Sequence, residues 1–321
     1  MNLTFSDVPL PHSKFGEAAY LSGRKLVVDG VEMAQIMWDC DELLWDWVMN
    51  GPELLRGFRH AARGRFGHIE TVRLKPGVFE LLWGMHHESL HLGQDPYLRI
   101  MTNGYPWRLY ELSKQIPGFV ELVGSPAQND RYMGWRGHPR IFTRWDYATI
   151  AESALFHASH GDSIFEGSSN RVLLERHFQK RPFSSSFKLP ELAQLAGKTG
   201  FDDIRILVDD HFTNIRRFAA SGRVGVHAVV PGTPQKGRIP NTSFGPADAR
   251  LDQISGDIVG PLAQALLEAS KKTSGVVRAE SRPMSAAEAL QFKIVVPWDR
   301  IGAEWVEPLR RIKRQYSKSR I

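Results

Sequence analysis

Leu81-Leu82-Trp83-Gly84-Met85-His86-His87-Glu88-Ser89-Leu90-His91 puts three histidines into one apolar run, with no glycine, proline or turn signal between the first histidine and the last. Wound at about 100° per residue, this stretch carries Glu80, Gly84, His87, Glu88 and His91 on one polar stripe. Phe79, Leu82, His86, Ser89 and Leu90 fall roughly opposite, and Leu81, Met85 and Leu92 close the apolar side. Two chemistries fit. His87-Glu88-Ser89-Leu90-His91 matches H-E-x-x-H, in which two imidazoles one turn apart bind zinc and the glutamate is general base. From the other face, His86 is an imidazole directed at the core, costly unless both nitrogens are satisfied, and suited to lie over a large apolar cofactor. A histidine on a polar stripe is more often simply solvated.

Working outward, helical periods dominate. Candidate helices span residues 33–49, 52–63, 77–93, 107–115, 147–158, 170–179, 190–197, 202–220, 251–271 and 300–315. Ser285-Ala286-Ala287-Glu288 is a capping box that opens one more. Strand signals are few: a small hairpin over residues 26–31 with an Asp29-Gly30 turn, and Lys293-Ile294-Val295-Val296. The expected fold is therefore mostly α. It is a single large helical domain over residues 1–321, with a small N-terminal hairpin, a long Gly/Pro-rich loop, and a terminal helix and basic tail over 300–321.

The long loop covers residues 221–247 and is rich in glycine, proline and the donors Arg223, Thr233, Lys236, Arg238, Thr242 and Ser243, which reads as a ligand-binding segment. Before it, Ile204, Leu207, Val208, His211, Phe212, Ile215, Phe218 and Ala219 form an i, i+3/i+4, i+7 stripe with His211 in its middle. Two helices would thus each place an imidazole among hydrophobes. A haem requires this: one neutral imidazole on iron, an apolar slot and a distal polar group.

Composition narrows the classes. A chain of 321 residues with 42% hydrophobic content can bury a sizeable core. The net charge of +6 comes largely from the last dozen residues, and no nucleic-acid signature accompanies them, which argues against a nucleic-acid partner. Cys40 is the only cysteine, so internal disulfides, Cys-rich zinc sites, iron–sulfur clusters and C-x-x-C-H haem attachment are excluded. In Trp38-Asp39-Cys40-Asp41-Glu42 three carboxylates oppose a thiolate, and Cys40 reads as structural. Without a signal-peptide pattern or an 18-residue apolar run, the expectation is a soluble cytoplasmic protein with no membrane partner.

The segments Gly84-Met85-His86-His87-x-x-Leu90-x-Leu92-x-Gln94 and His211-Phe212-Thr213-Asn214-Ile215-Arg216, followed by Gly232-Thr233, resemble the histidine-ligated haem-dependent aromatic oxygenases. This is the superfamily of tryptophan 2,3-dioxygenase, and the paired His86-His87 is similar to its bacterial tyrosine hydroxylase and peroxygenase branch. The resemblance implies haem b, with His211 as the iron ligand and His86 as distal base, or His87 if the helix is rotated by one residue. It also implies ring hydroxylation of an aromatic amino acid, tyrosine to a 3-hydroxy product, with O2 or H2O2 in a secondary-metabolite pathway; tryptophan or indole oxygenation is the variant. Arg238 with Thr233 or Ser243, or Arg171 with Ser168 or Ser169, would hold the amino acid's carboxylate and ammonium. The loop departs from the Gly-Thr-Gly-Gly form, and no cysteine follows His211, which excludes covalently attached haem. The rival is a zinc metallohydrolase using His87, Glu88 and His91, with Glu111, His138, His157 or His160 as third ligand. A homo-oligomer is compatible with either.

Overall fold

Ile36-Met37-Trp38 is a strand, not the start of a helix, and it forms the middle of a parallel sheet. A computed structural model describes residues 3–7, 24–28, 30–40, 43–48, 69–74, 78–104, 106–113, 118–125, 136–180, 187–229, 256–257, 259–280, 282–283, 293–297 and 314. The chain begins with β1 (Leu3–Asp7), β2 (Arg24–Val28), β3 (Ile36–Trp38), β4 (Trp45–Val48) and β5 (Ile69–Leu74). It continues through α1 (Val78–His91), β6 (Arg99–Met101), α2 (Pro106–Ser113), α3 (Phe119–Val123) and β7 (Ile141–Phe142). Then come α4 (Arg144–Ser159), α5 (Arg171–Lys180), α6 (Pro190–Leu195), β8 (Ile206–Asp209), α7 (Phe212–Ala220) and β9 (Val224–Val229). The described part closes with β10 (Gly256–Asp257), α8 (Val259–Ala269), β11 (Gly275–Glu280), β12 (Arg282–Pro283) and β13 (Lys293–Pro297).

The central sheet has six strands in the order β11-β9-β8-β3-β6-β7, every neighbouring pair parallel. Side chains alternate across it. Ile36, Trp38, Ile100, Ile141, Ile206, Val208, Val224 and Val226 pack with residues of α1, α2, α3 and α8 on one face. Met37, Met101, Phe142 and Leu207 pack with α4, α5, α6 and α7 on the other. The protein is therefore α/β, a parallel sheet between two helical layers, and the expected mostly α fold is overturned. The reason is physical: strands buried on both faces read as unbroken apolar runs, and a short run of this kind has no period that separates it from a buried helix.

The corrections follow that rule. The expected helix over 33–49 is a single turn at Met33–Gln35, then β3 and, further on, β4. The expected helix over 202–220 contains β8, a bend at Asp210, the extended N-cap His211, and α7. The 251–271 helix is confined to α8. Part of the expected loop over 221–247 is β9, paired with β8 and β11. Of the expected hairpin over 26–31, the described residues through Val28 belong to β2, which pairs antiparallel with β1, the strand before it; Asp29 lies outside the described residues. Helices near 77–93, 107–115, 147–158, 170–179 and 190–197 are present as α1, α2, α4, α5 and α6, and Lys293–Pro297 is a strand on β5. The candidate helix 52–63, the capping box at 285–288 and the terminal segment 300–321, apart from Arg314, lie outside the described residues. Among the described residues no helix is long and apolar enough to cross a membrane.

Candidate functional site

In an open parallel sheet a crevice forms at the carboxyl ends of the strands where the winding reverses, because the helices after two adjacent strands depart to opposite faces. Here that point lies between β3 and β8. The chain winds outward from β3 through β6 to β7, crosses back to β8, and continues outward through β9 to β11. The helix after β3 packs on one face and the helix after β8 on the other.

Two acids occupy the reversal. Asp39 is the first residue after β3, and its N–H extends the ladder to Val208 O at 2.9 Å; Asp209 ends β8. Lys188 Nζ lies between them, 2.7 Å from Asp39 Oδ2 and 2.8 Å from Asp209 Oδ2. Lys188 and Asp209 are buried, and Asp39 retains 8% exposure. Burial alone would lower the pKa of Lys188, but the Asp209 and Asp39 carboxylates outweigh it and hold the group well above its ordinary range, so it is an ammonium. Its backbone is anchored too: the Tyr147 hydroxyl on α4 donates to Phe187 O at 2.6 Å, and the Phe187 ring stacks on His177 at 4.5 Å.

Asp209 Oδ1 accepts the His211 N–H at 2.6 Å, and its Oδ2 accepts Asn214 Nδ2 at 2.7 Å as well as Lys188. Asp39 Oδ1 accepts the Cys40 N–H at 2.7 Å, and its Oδ2 meets Lys188. A third acid, Asp210, completes the group: one carboxylate oxygen from each of Asp39, Asp209 and Asp210 lies within 4.8 Å of the others. The group thus gathers three carboxylates, two of them on the Lys188 ammonium. Clustered carboxylate oxygens of this kind could hold a hard divalent cation such as Mg2+. Beside them on the next strand, Thr102 follows β6; it is buried, and its Oγ accepts the Gly104 N–H at 3.0 Å.

The residues singled out in the sequence lie elsewhere or play other parts. His86 is buried on α1, with its Nδ1–H donated to Pro96 O at 2.9 Å, and burial lowers its pKa. Its ring meets Trp83 at 5.3 Å and His87 at 5.7 Å. His87 and Glu88 are half-buried and His91 is exposed at the end of the helix. Among the described residues no third protein ligand joins His87, Glu88 or His91 within metal-binding reach. His211 is the N-cap of α7 rather than the middle of a helix; its Nδ1 is buried and has no hydrogen-bond partner among the described residues. Pro96, to which His86 is bound, precedes the amino end of β6, whereas His211 follows the carboxyl end of β8. The two imidazoles therefore sit at opposite edges of the sheet, on elements packed against opposite faces. Arg171 opens α5, exposed, and pairs with Glu175 at 2.8 Å and Glu166 at 3.7 Å. Thr233, Arg238 and Ser243 lie outside the described residues.

Asp39, Thr102, Lys188, Asp209 and Asp210 did not emerge from the sequence. A signal for three of them exists in retrospect: Ile36-Met37-Trp38 and Ile206-Leu207-Val208 are short apolar runs that each end directly in an acid. Lys188 has no such local mark. No protein-family profile, curated protein or solved structure matches this chain.

Proposed function

We propose that the protein is a divalent-cation-dependent phosphoryl-transfer enzyme that hydrolyses phosphate monoesters, with Asp39 as nucleophile. The observation that carries this reading is Lys188, buried and bridging Asp39 and Asp209 at the reversal of the sheet, with Asp210 beside them. A buried ammonium bridging two carboxylates beside a third, at the carboxyl ends of the strands, is a costly arrangement for stability alone. It matches the needs of a dianionic phosphoryl group, which must be neutralised before a carboxylate can approach it. When bound by these carboxylates, Mg2+ supplies the remaining positive charge against the phosphoryl oxygens.

Asp39 is assigned the attack because Asp209 is fully buried, held by His211, Asn214 and Lys188, whereas Asp39 keeps 8% exposure. An Asp39 oxygen forms a bond to phosphorus as the ester P–O bond breaks, and the departing oxygen takes a proton. Water then attacks the phosphorus of the aspartyl phosphate, and release of inorganic phosphate restores the carboxylate. The nearest acids in the sequence that could supply the proton are Asp41 and Glu42, which lie outside the described residues. Lys188 screens Asp39 from the incoming charge, and the Thr102 hydroxyl is a donor at the same edge.

Release of inorganic phosphate from p-nitrophenyl phosphate and a panel of small phosphate monoesters, with Mg2+ and with excess chelator, tests this directly. Release that needs Mg2+ and is lost in Asp39→Asn is expected. No release from any ester, together with a Soret band in the protein as isolated, would return the assignment to haem on His211.

A further inference from the structure

We infer that His227 is a positioning residue for the metal site: its ring N–H holds the main-chain carbonyl of Asp210 and so fixes how the Asp210 carboxylate is presented to Asp39 and Asp209. The inference rests on the functional reading above. His227 lies on β9 directly beside Asp209 in the parallel register. Its Nε2 is 3.0 Å from Asp210 O, and since a carbonyl can only accept, Nε2 carries the hydrogen. The bond crosses from β9 to the first residue beyond β8, where the chain leaves the sheet to enter α7.

The composition of β9 supports a dedicated role. Val224, Val226 and Ala228 face the apolar layer beneath α8, as a buried parallel strand requires. The alternate positions are unusual. At Gly225 a Cβ would lie 2.7 Å from Ile215 Cγ2 and 2.9 Å from Ile215 O, so the absence of a side chain lets the backbone of α7 approach the strand. Two residues on, and on the same face, His227 is 8% exposed and its ring lies 5.2 Å from that of Phe212 at the start of α7. The strand therefore seats α7 closely along its body and tethers the segment entering it. A buried imidazole is costly unless its N–H is used, and here it is used on a main-chain atom of Asp210, one of the three clustered acids. Outer groups that orient metal ligands are worth about 10–100-fold in metal affinity.

The test uses the full chain and measures Mn2+ binding directly, by calorimetry and by the spin-resonance signal of free Mn2+, without substrate. His227→Leu removes the donor, and His227→Gln keeps an N–H at similar reach. The expected result is Mn2+ affinity about 10–100-fold weaker in His227→Leu and largely restored in His227→Gln. The rate of ester hydrolysis at saturating metal should fall far less than the affinity. Equal affinity in wild type and His227→Leu overturns the inference and leaves the functional reading standing. Equal weakening in both variants also overturns it, because the donated N–H would then not be what matters. Should His227→Leu fail to fold, wild-type affinity in a folded His227→Ala would overturn it in the same way. A wild type that binds no Mn2+ overturns the functional reading and the inference together.

Discussion

Among the described residues two lysines are buried, and they are buried differently. Lys198 Nζ lies 3.2 Å from Asp146 Oδ1, 2.5 Å from Arg136 O and 3.1 Å from His138 O. One carboxylate and two carbonyls use its three donors. Asp146 is equally occupied, since its other oxygen accepts the N–H and hydroxyl of Thr143 in the capping box of α4. One positive charge meets one negative, and the knot is closed. Burial lowers the pKa of Lys198 and raises that of Asp146, the response of a pair whose charges have no surplus field to support them. Lys188 instead meets two carboxylates with a third close by, and its pKa is driven upward. The contrast teaches that burial of a charge does not by itself single out a site: Lys198 closes a pair, whereas Lys188 bridges two carboxylates beside a third at the carboxyl ends of β3 and β8.

Breaking the open cluster should affect chemistry first. Asp39→Asn is expected to lower phosphate release by on the order of 10^4-fold or more, with the unfolding midpoint nearly unchanged, as read by a phosphate assay beside thermal unfolding. Breaking the closed knot should affect stability instead. Lys198→Met strands Asp146 and is expected to cost about 3–5 kcal/mol in denaturant unfolding, with no dependence on Mg2+. Lys188→Met is expected to destabilise as well, but with a difference that sharpens the comparison: added Mg2+ should recover part of its stability, because a cation bound only by the folded state stabilises by mass action.

Acid should act through the closed region. Burial pulls the His138 pKa from 6.5 down to about 4; its Nε2–H donates to Gly124 O at 2.9 Å and its Nδ1 accepts the Arg140 N–H at 3.2 Å. The folded state therefore resists a proton that the unfolded chain accepts. The contribution is fully present above pH 6.5 and is lost progressively as pH falls toward about 4, up to about 3 kcal/mol. Urea titrations across that window should show the slope, and His138→Gln should flatten it. A smaller effect is expected at the anchor of Lys188. Tyr147→Phe leaves Phe187 O without its donor and should cost about 1–3 kcal/mol, with hydrolysis reduced only modestly and still Mg2+-dependent.

The elements that could be read from the sequence are those with one wet face. α1 shows its polar stripe because His87, Glu88 and His91 reach outward while Leu81, Leu82 and Met85 are buried. β3 and β8 offer no such contrast: Ile36, Met37 and Trp38, like Ile206, Leu207 and Val208, are buried on both faces. The stripe that placed His211 in a helix joined Leu207 and Val208 of a strand to Ile215 and Phe218 of a helix, a period created by a break in structure rather than by one element. The site was hidden for the same reason. Asp39 and Asp209 become neighbours only once β3 and β8 are paired, and Lys188 reaches them from a segment far from either in sequence. Cys40, read from the sequence as structural, is buried in the core beside Asp39.

The central claim is that Asp39 takes up the phosphoryl group. Acid-quenching the full chain during turnover of a phosphate monoester with Mg2+, followed by peptide mapping by mass spectrometry, tests it most directly. The account predicts one phosphoryl group on Asp39, removed by hydroxylamine and absent from Asp39→Asn. Phosphate release with no label on Asp39 at any quench time, or release that persists in Asp39→Asn, would contradict it.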